Sequence, residues 1–269
     1  AMRRDLDMLD SGRPSTHAQR NTASEHAHET LLSEKRRGRK EVFEHELRTC
    51  HQGSLKQAKV KEWSKMTASK AVKVLNREES DAIRGCPTLR KRIVKSRFVL
   101  TKDDEKPLSE NTVIKARWCI RGYLDPDLLS LETEAPTLSS EGCAIALQCI
   151  SSKRWLLQIC DVEGAFLRGD DLSRQTGRVF VEQPPNGIPG VEPGVLVEAL
   201  KTVYGLADAP LAWYNSFTKA LQGLGCRQSR MDSCLYYAYS RHDPHELIGV
   251  IALHVDDMCL GGNEEFETR

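Results

Sequence analysis

The sequence predicts an α+β fold built on antiparallel sheet and preceded by a polar tail. Three observations carry that prediction. Residues 247–253 (LIGVIAL) are uncharged and mostly aliphatic, the pattern of a strand buried on both faces. His254, Val255, Asp256 and Asp257 follow, then a short apolar run at 258–260 and the pair Gly261 and Gly262, which together predict a tight hairpin with both carboxylates at its tip. Residues 92–102 and 112–122 both alternate and are joined by the polar break DDEKPLSEN, as two antiparallel strands with a loop would be. Helical apolar spacing marks residues 140–150 and the stretch after Asp208.

A chain of 269 residues, 39% hydrophobic and 29% charged, suffices for one sizeable core with polar extensions or for two small domains. At a formal net charge of +1, a nucleic-acid partner has to be met by a local basic face. Nine cysteines without C-x-x-C or zinc-ligand spacing point to reduced, mostly buried thiols and to a cytoplasmic or nuclear location. No apolar run approaches the ~18 residues needed to span a bilayer, and the start lacks the apolar centre of a signal peptide, so no membrane partner is expected.

Residues 1–60 are polar and lack a sustained apolar period, so they are expected to form a disordered tail. Within them KRRGRK at 35–40 reads as a solvated charge run, or as a phosphate-backbone contact or nuclear address. Order is expected to begin near Trp63 with a helix to about Val74, followed by a second helix opened by Glu78 and Glu79. In the 112–122 strand Lys115, Arg117, Cys119 and Arg121 share one face, which suits either a phosphate-gripping surface or an edge strand protected by charge. After the break ETEAPTLSS, Ser139 or Ser140 caps the 140–150 helix. Residues 155–162 (WLLQICDV) read as another buried strand, ending in the carboxylate Asp161. An acid where a buried strand emerges caps a turn or holds a cation. A short strand at 178–182, the loop QPPNGIPG and the strand-like VLVEAL come next. Asp208 and Pro210 then start a helix whose stripe Leu211, Tyr214, Phe217, Leu221 and Leu224 ends at Gly225. Residues 234–239 form a last strand before the hairpin. There, adjacent Asp256 and Asp257 disfavour each other's ionisation, and the pair reads as a solvated turn or as a cation site.

Taken together, six motifs resemble the reverse transcriptase of copia-type LTR retrotransposons over roughly residues 62–262. They are KARWCIRG, ETEAPT, CDVEGAFLRGDDL, VFVEQPPNG, ALKTVYGLADAPLAWY and LHVDD, in the family's order and approximate spacing. His254 stands where that family usually has Tyr, and Glu134 replaces an apolar aromatic. The resemblance implies a palm-and-fingers architecture, with 61–135 fingers-like, 136–269 palm-like, and the thumb and ribonuclease H portions missing after Arg269. It implies RNA-directed DNA polymerase activity with dNTPs and a primed RNA or DNA template. Asp161, Asp256 and Asp257 would be the catalytic metal ligands for two Mg2+ ions, with Mn2+ a substitute. Lys115 and Arg117 would face the triphosphate, Phe166 would gate against the ribose 2′-hydroxyl, and Tyr204 and Gly205 would lie along the nascent base pair. The alternatives are a catalytically inactive nucleic-acid-binding remnant and a two-metal nuclease.

Overall fold

A computed structural model describes residues 41–47, 51–102, 108–109, 112–172, 174 and 176–268. The KRRGRK cluster lies outside the described residues. In chain order the elements are β1 (Glu41–Val42), α1 (Gln52–Ala68), β2 (Val72–Val74), α2 (Arg77–Gly85), β3 (Ile93–Lys102), β4 (Ile114–Ile120), α3 (Ser140–Lys153), β5 (Gln158–Asp161), β6 (Val179–Glu182), β7 (Val197–Ala199), α4 (Ala209–Gly223), β8 (Arg227–Gln228), β9 (Leu235–Tyr239), β10 (Leu247–His254) and β11 (Asp257–Gly262). One sheet has the order β1-β3-β6-β7-β2, with β4 on the other side of β3, and the second has the order β5-β11-β10-β9-β8. Every strand pair is antiparallel except β3 with β6. The result is a mixed α/β fold with largely antiparallel sheets. Because β6 and β7 return to the first sheet, the stretches 61–135 and 136–269 both contribute strands to it.

The first sheet closes over a core of Trp63, Met66, Trp118, Val179, Val181, Val197 and Val203. Helix α1 covers the outer edge of β4, and the Glu62 carboxylate accepts the Trp118 N–H at 3.0 Å. That contact satisfies a donor which β3 cannot reach, and burial pushes the Glu62 carboxyl up against it. Here the fold departs from the sequence reading, which placed residues up to 60 in a tail and ran the first helix to Val74. Residues 41–47 and 51–60 instead belong to the fold, since Val42, Leu47 and Leu55 pack with Leu100 and Ile114. The apolar signal of α1 is hidden because two polar residues sit in its buried stripe: Leu55, Lys59, Glu62, Trp63 and Met66. Lys59 is buried by pairing with Glu44. After Ser69, Lys70 takes φ +54° and ends the helix, so that Val72–Val74 pairs with β7.

Helix α2 starts with a capping box, in which Asn76 accepts the Glu79 N–H and Glu79 accepts the Asn76 N–H. Ser139 caps α3 by accepting the Gly142 N–H at 2.9 Å, and Asp232 in turn accepts the Ser139 N–H and hydroxyl. The second sheet packs β10 between α3 and α4, with Ile248, Val250, Ile251, Ala252 and Leu253 buried. Strand β5 differs from expectation. It is an edge strand bonded only to β11, and Ile159, Cys160 and Asp161 are exposed rather than buried. Gly261 and Gly262 are the last two residues of β11, so the hairpin closes at the glycine pair as the sequence predicts. A Cβ at Gly262 would stand 2.2 Å from the Phe266 ring, and one at Gly249, its cross-strand partner, would also stand 2.2 Å from it. The ring covers the gap that the paired glycines leave. No helix among the described residues is long and apolar enough to cross a membrane.

A buried ion network joins the two halves. Arg174 donates to Asp125 at 2.6 Å and to both oxygens of Asp208 at 2.9 Å, while Arg92 donates to Asp127 at 2.7 Å. Sequence reading took Asp208 as a marker of the helix start; its carboxylate caps nothing and binds Arg174 instead. The Arg92 hydrogen bond, with Thr176 in support, holds the Asp127 carboxyl down to about 2. A carboxyl depressed on folding stabilises the native state above its unfolded pKa of ~3.9 and loses that contribution as pH falls. Denaturant unfolding should therefore show stability lost between about pH 4 and pH 2 that Asp127→Asn abolishes. At neutral pH, Arg174→Met should cost about 3–5 kcal/mol, because it strands buried carboxylates. A loss below about 1 kcal/mol would show that the network contributes little.

Candidate active site

The hairpin builds the first part of the site. Strands β10 and β11 pair from Gly249↔Gly262 to His254↔Asp257, leaving Val255 and Asp256 as a two-residue turn. Turns of this length match the strand twist only with a positive φ at the first central residue, which Gly, Asn or Asp normally supplies. Here Val255 supplies it, at φ +60°. A β-branched residue is strained there by about 1–2 kcal/mol. On the other side of β11, strand β5 pairs in the register Asp257↔Asp161 to Leu260↔Gln158. Asp161 and Asp257 are thus cross-strand neighbours on one face, both exposed. The Val162 N–H donates to the Asp256 carbonyl at 3.1 Å, tying the turn to the residue after Asp161. Among the described residues, no group of three or more His, Cys, Asp or Glu side chains is arranged to hold a metal ion.

A second group of predicted residues gathers around the Tyr204 ring. The Arg117 guanidinium sits 4.7 Å from the centre of the Tyr204 ring, and Phe166 meets the same ring edge-on at 5.5 Å. Burial pushes the Tyr204 phenol up; Arg117 opposes the shift, and the charges of Glu62 and Asp256 add to it. Phe166 and Tyr204 are half-buried and pack on the first core. Lys115 is exposed on β4, opposite Thr101, and alternation puts it on the same face as Arg117, as the sequence predicts. Arg121, assigned to that face too, lies past the strand, and its Nε is buried without a hydrogen-bond partner.

Gly205 has φ +91°, and its close approach is to backbone: an added Cβ would stand 2.0 Å from the Ile120 carbonyl oxygen. The Gly122 Cβ would stand 2.1 Å from the Gly205 carbonyl oxygen. Between them, the Ile120 N–H donates to Tyr204 at 2.8 Å and the Gly122 N–H donates to Gly205 at 3.1 Å. The glycines of KARWCIRG and VYGL are two sides of one contact, which carries the Arg117 strand onto the Tyr204 loop.

The sequence profile of the family described as "Reverse transcriptase (RNA-dependent DNA polymerase)" matches residues 79–268. The chain belongs to the reverse transcriptase family. Its relatives include the Retrovirus-related Pol polyproteins from transposons RE1 and RE2 of Arabidopsis thaliana, each 31% identical over 173 residues, which is 64% of this chain and 11% of the relative. The corresponding polyprotein from transposon TNT 1-94 of Nicotiana tabacum is 26% identical over 169 residues, 62% of this chain and 12% of the relative. The chain thus spans about a tenth of these relatives' length and is a retrotransposon-type reverse transcriptase domain.

Sequence reasoning missed two residues that support the candidate site. Trp213, omitted from the apolar stripe of α4, donates its indole N–H to the Val255 carbonyl at 2.7 Å. Arg174, in a polar stretch without periodicity, anchors the start of α4; charged residues far apart in sequence give no signal that they will pair. The glycine contact yields a direct prediction. Gly205→Ala should cost well over about 3 kcal/mol, because its Cβ meets the fixed backbone of Ile120, whereas Gly225→Ala should cost only about 1 kcal/mol. Gly225 also has positive φ, at +83°, but nothing within 4 Å of its Cβ. Equal thermal or denaturant stability of the two variants would show that conformation alone, and not the contact with β4, restricts residue 205.

Proposed function

We propose that this domain is the fingers and palm of an RNA-directed DNA polymerase, extending a primer 3′-hydroxyl with dNTPs on an RNA or DNA template. The observation that carries the reading is the cross-strand register Asp161↔Asp257, with the Asp256 turn tied to Val162. Carboxylates from separate strands meet at one sheet end, and Arg117, Tyr204 and Phe166 form a stack of one guanidinium and two aromatic rings.

The donor set is carboxylate oxygen alone, which suits a hard divalent cation. Mg2+ typically keeps several waters and takes one or two protein carboxylates plus substrate phosphates, so an open set of acids without a closed cage fits it, with Mn2+ as a substitute. Bound there between enzyme and phosphates, such ions would activate the primer hydroxyl and neutralise the leaving pyrophosphate. Asp161, Asp256 and Asp257 supply the negative charge that recruits them. Lys115 and Arg117 present cations to the triphosphate, where charge builds in the transition state. The Phe166 ring, held against Tyr204, forms a wall beside the incoming sugar.

Primer extension tests the reading. The wild type should incorporate dNTPs, and Asp161→Asn or Asp256→Asn should lower the rate by about a thousandfold or more. Binding of primed template without turnover would identify an inactive remnant instead, and loss of strand would identify a nuclease. In the active enzyme, Phe166→Ala should reduce the preference for dNTP over rNTP by at least about tenfold in kcat/KM. An unchanged ratio would make Phe166 a packing residue only.

A further inference from the structure

We propose that Trp213 is a positioning residue for the Asp256 turn: its indole N–H holds the Val255 carbonyl and so keeps the turn in the conformation that places Asp257 opposite Asp161. The inference rests on the reading of the three acids only where catalysis is concerned; the mechanical part stands on geometry.

Val255 is the residue that needs explaining. A left-handed conformation at a β-branched residue persists only where its surroundings over-determine it. Two donors from outside the hairpin do so. The Trp213 Nε1–H reaches the Val255 carbonyl at 2.7 Å, and the Val162 N–H reaches the next carbonyl, that of Asp256, at 3.1 Å. The first donor comes from helix α4 and the second from the strand end carrying Asp161. The turn is therefore held between α4 on one side and the strand end that carries Asp161 on the other.

The indole is suited to this work. It is a donor only and, when buried, needs an acceptor. Trp213 is 5% exposed, and its ring lies 5.2 Å from that of Phe217, so the donor is fixed in place. A cavity of about 560 Å³, lined by Pro136, Pro210, Leu253 and Val255 among others, flanks the ring. The lining also carries the Thr133, Thr137 and Tyr214 hydroxyls, but the donor that reaches the Val255 carbonyl is the Trp213 indole. One turn before Trp213, the start of α4 is pinned through the Asp208 pairing with Arg174. The strap thus runs from the buried ion network through α4 to the turn.

The test compares the wild type with Trp213→Phe, Val255→Gly and the double variant. Phenylalanine keeps most of the ring but removes the donor; glycine adopts positive φ without strain. The first readout is amide hydrogen exchange at Val162, whose N–H reports the Asp256 carbonyl. Exchange should be at least about fivefold faster in Trp213→Phe, the equivalent of one ordinary hydrogen bond, with the amides of β9 unchanged. Adding Val255→Gly should restore it to within about twofold, because the turn no longer needs the strap. Packing loss would not be rescued this way, since glycine removes further atoms. Unchanged exchange in Trp213→Phe, or no restoration in the double variant, overturns the proposal. Should Trp213→Phe not fold, the wild type carries the test: the Trp213 indole proton must exchange in step with the Val162 amide, and independent, faster exchange overturns the strap. The second readout is primer extension, where Trp213→Phe should lower kcat by about tenfold or more with the KM for dNTP nearly unchanged, and Val255→Gly should restore kcat. A wild type that extends no primer would refute the polymerase reading, while the exchange result would still decide the strap.

Discussion

Asp161 faces Asp257 because β11 begins directly after a two-residue turn, and a slip of one residue in that hairpin would carry every side chain of β11 to the opposite face. The rest of the second sheet can be understood as the means of preventing that slip. Buried side chains of β10 fix one strand against both helices. The glycine pair Gly249 and Gly262 lets Phe266 seat only at one register, and a Cβ at Gly261 would meet Ile150 of α3 at 2.9 Å. Trp213 and Val162 then hold the two turn carbonyls. Asp161 and Asp257 are exposed side chains carried on backbone that is paired on both strands and held at the turn.

The second requirement is that the first sheet arrive at the same place. That is achieved by backbone contact rather than by side-chain recognition: Gly122 and Gly205 let the end of β4 bond to the Tyr204 loop, and the Arg117 guanidinium comes to rest on the Tyr204 ring. Trp118, between Arg117 and Cys119, points inward against Trp63 with their ring centres 5.5 Å apart, so alternation sends Arg117 outward. The Arg174 cluster supplies the complementary tie, joining the 125–127 loop to the start of α4. Both joints are polar or close-packed, and both depend on groups with no tolerance for substitution by size or charge.

Much of this was legible in the sequence. The hairpin, the β3–β4 pair, the cap at Ser139, the helix opened near Glu78 and Glu79, and the placement of Lys115 and Arg117 on one face all follow from local periodicity and turn chemistry. So did family membership, because six motifs in order constrain far more than any one of them. What failed to show was non-local. Leu156, Leu157 and Ile159 look like a buried strand, yet β5 has a single partner and leaves them exposed. Lys59 and Glu62 broke the apolar stripe of α1, since nothing in the sequence reveals that Glu44 and the Trp118 N–H await them. Gly262 does end β11, but nothing local shows that it also makes room, with Gly249 across the strand pair, for the Phe266 ring. The Trp213 strap was invisible for a related reason: its acceptor is a main-chain carbonyl, which no sequence pattern marks.

The central claim is that acids on β5 and on the hairpin act as one site. Mn2+ binding to the 269-residue chain, followed by the electron paramagnetic resonance of the free ion, measures this without requiring turnover. A shared site predicts that Asp161→Asn and Asp257→Asn each weaken binding by about tenfold or more, and that the double variant is much less than multiplicatively worse. Undiminished affinity in Asp161→Asn, with loss only on substitution in the hairpin, would contradict the account, because the ion would then be held by one strand pair and the register to β5 would have no part in it.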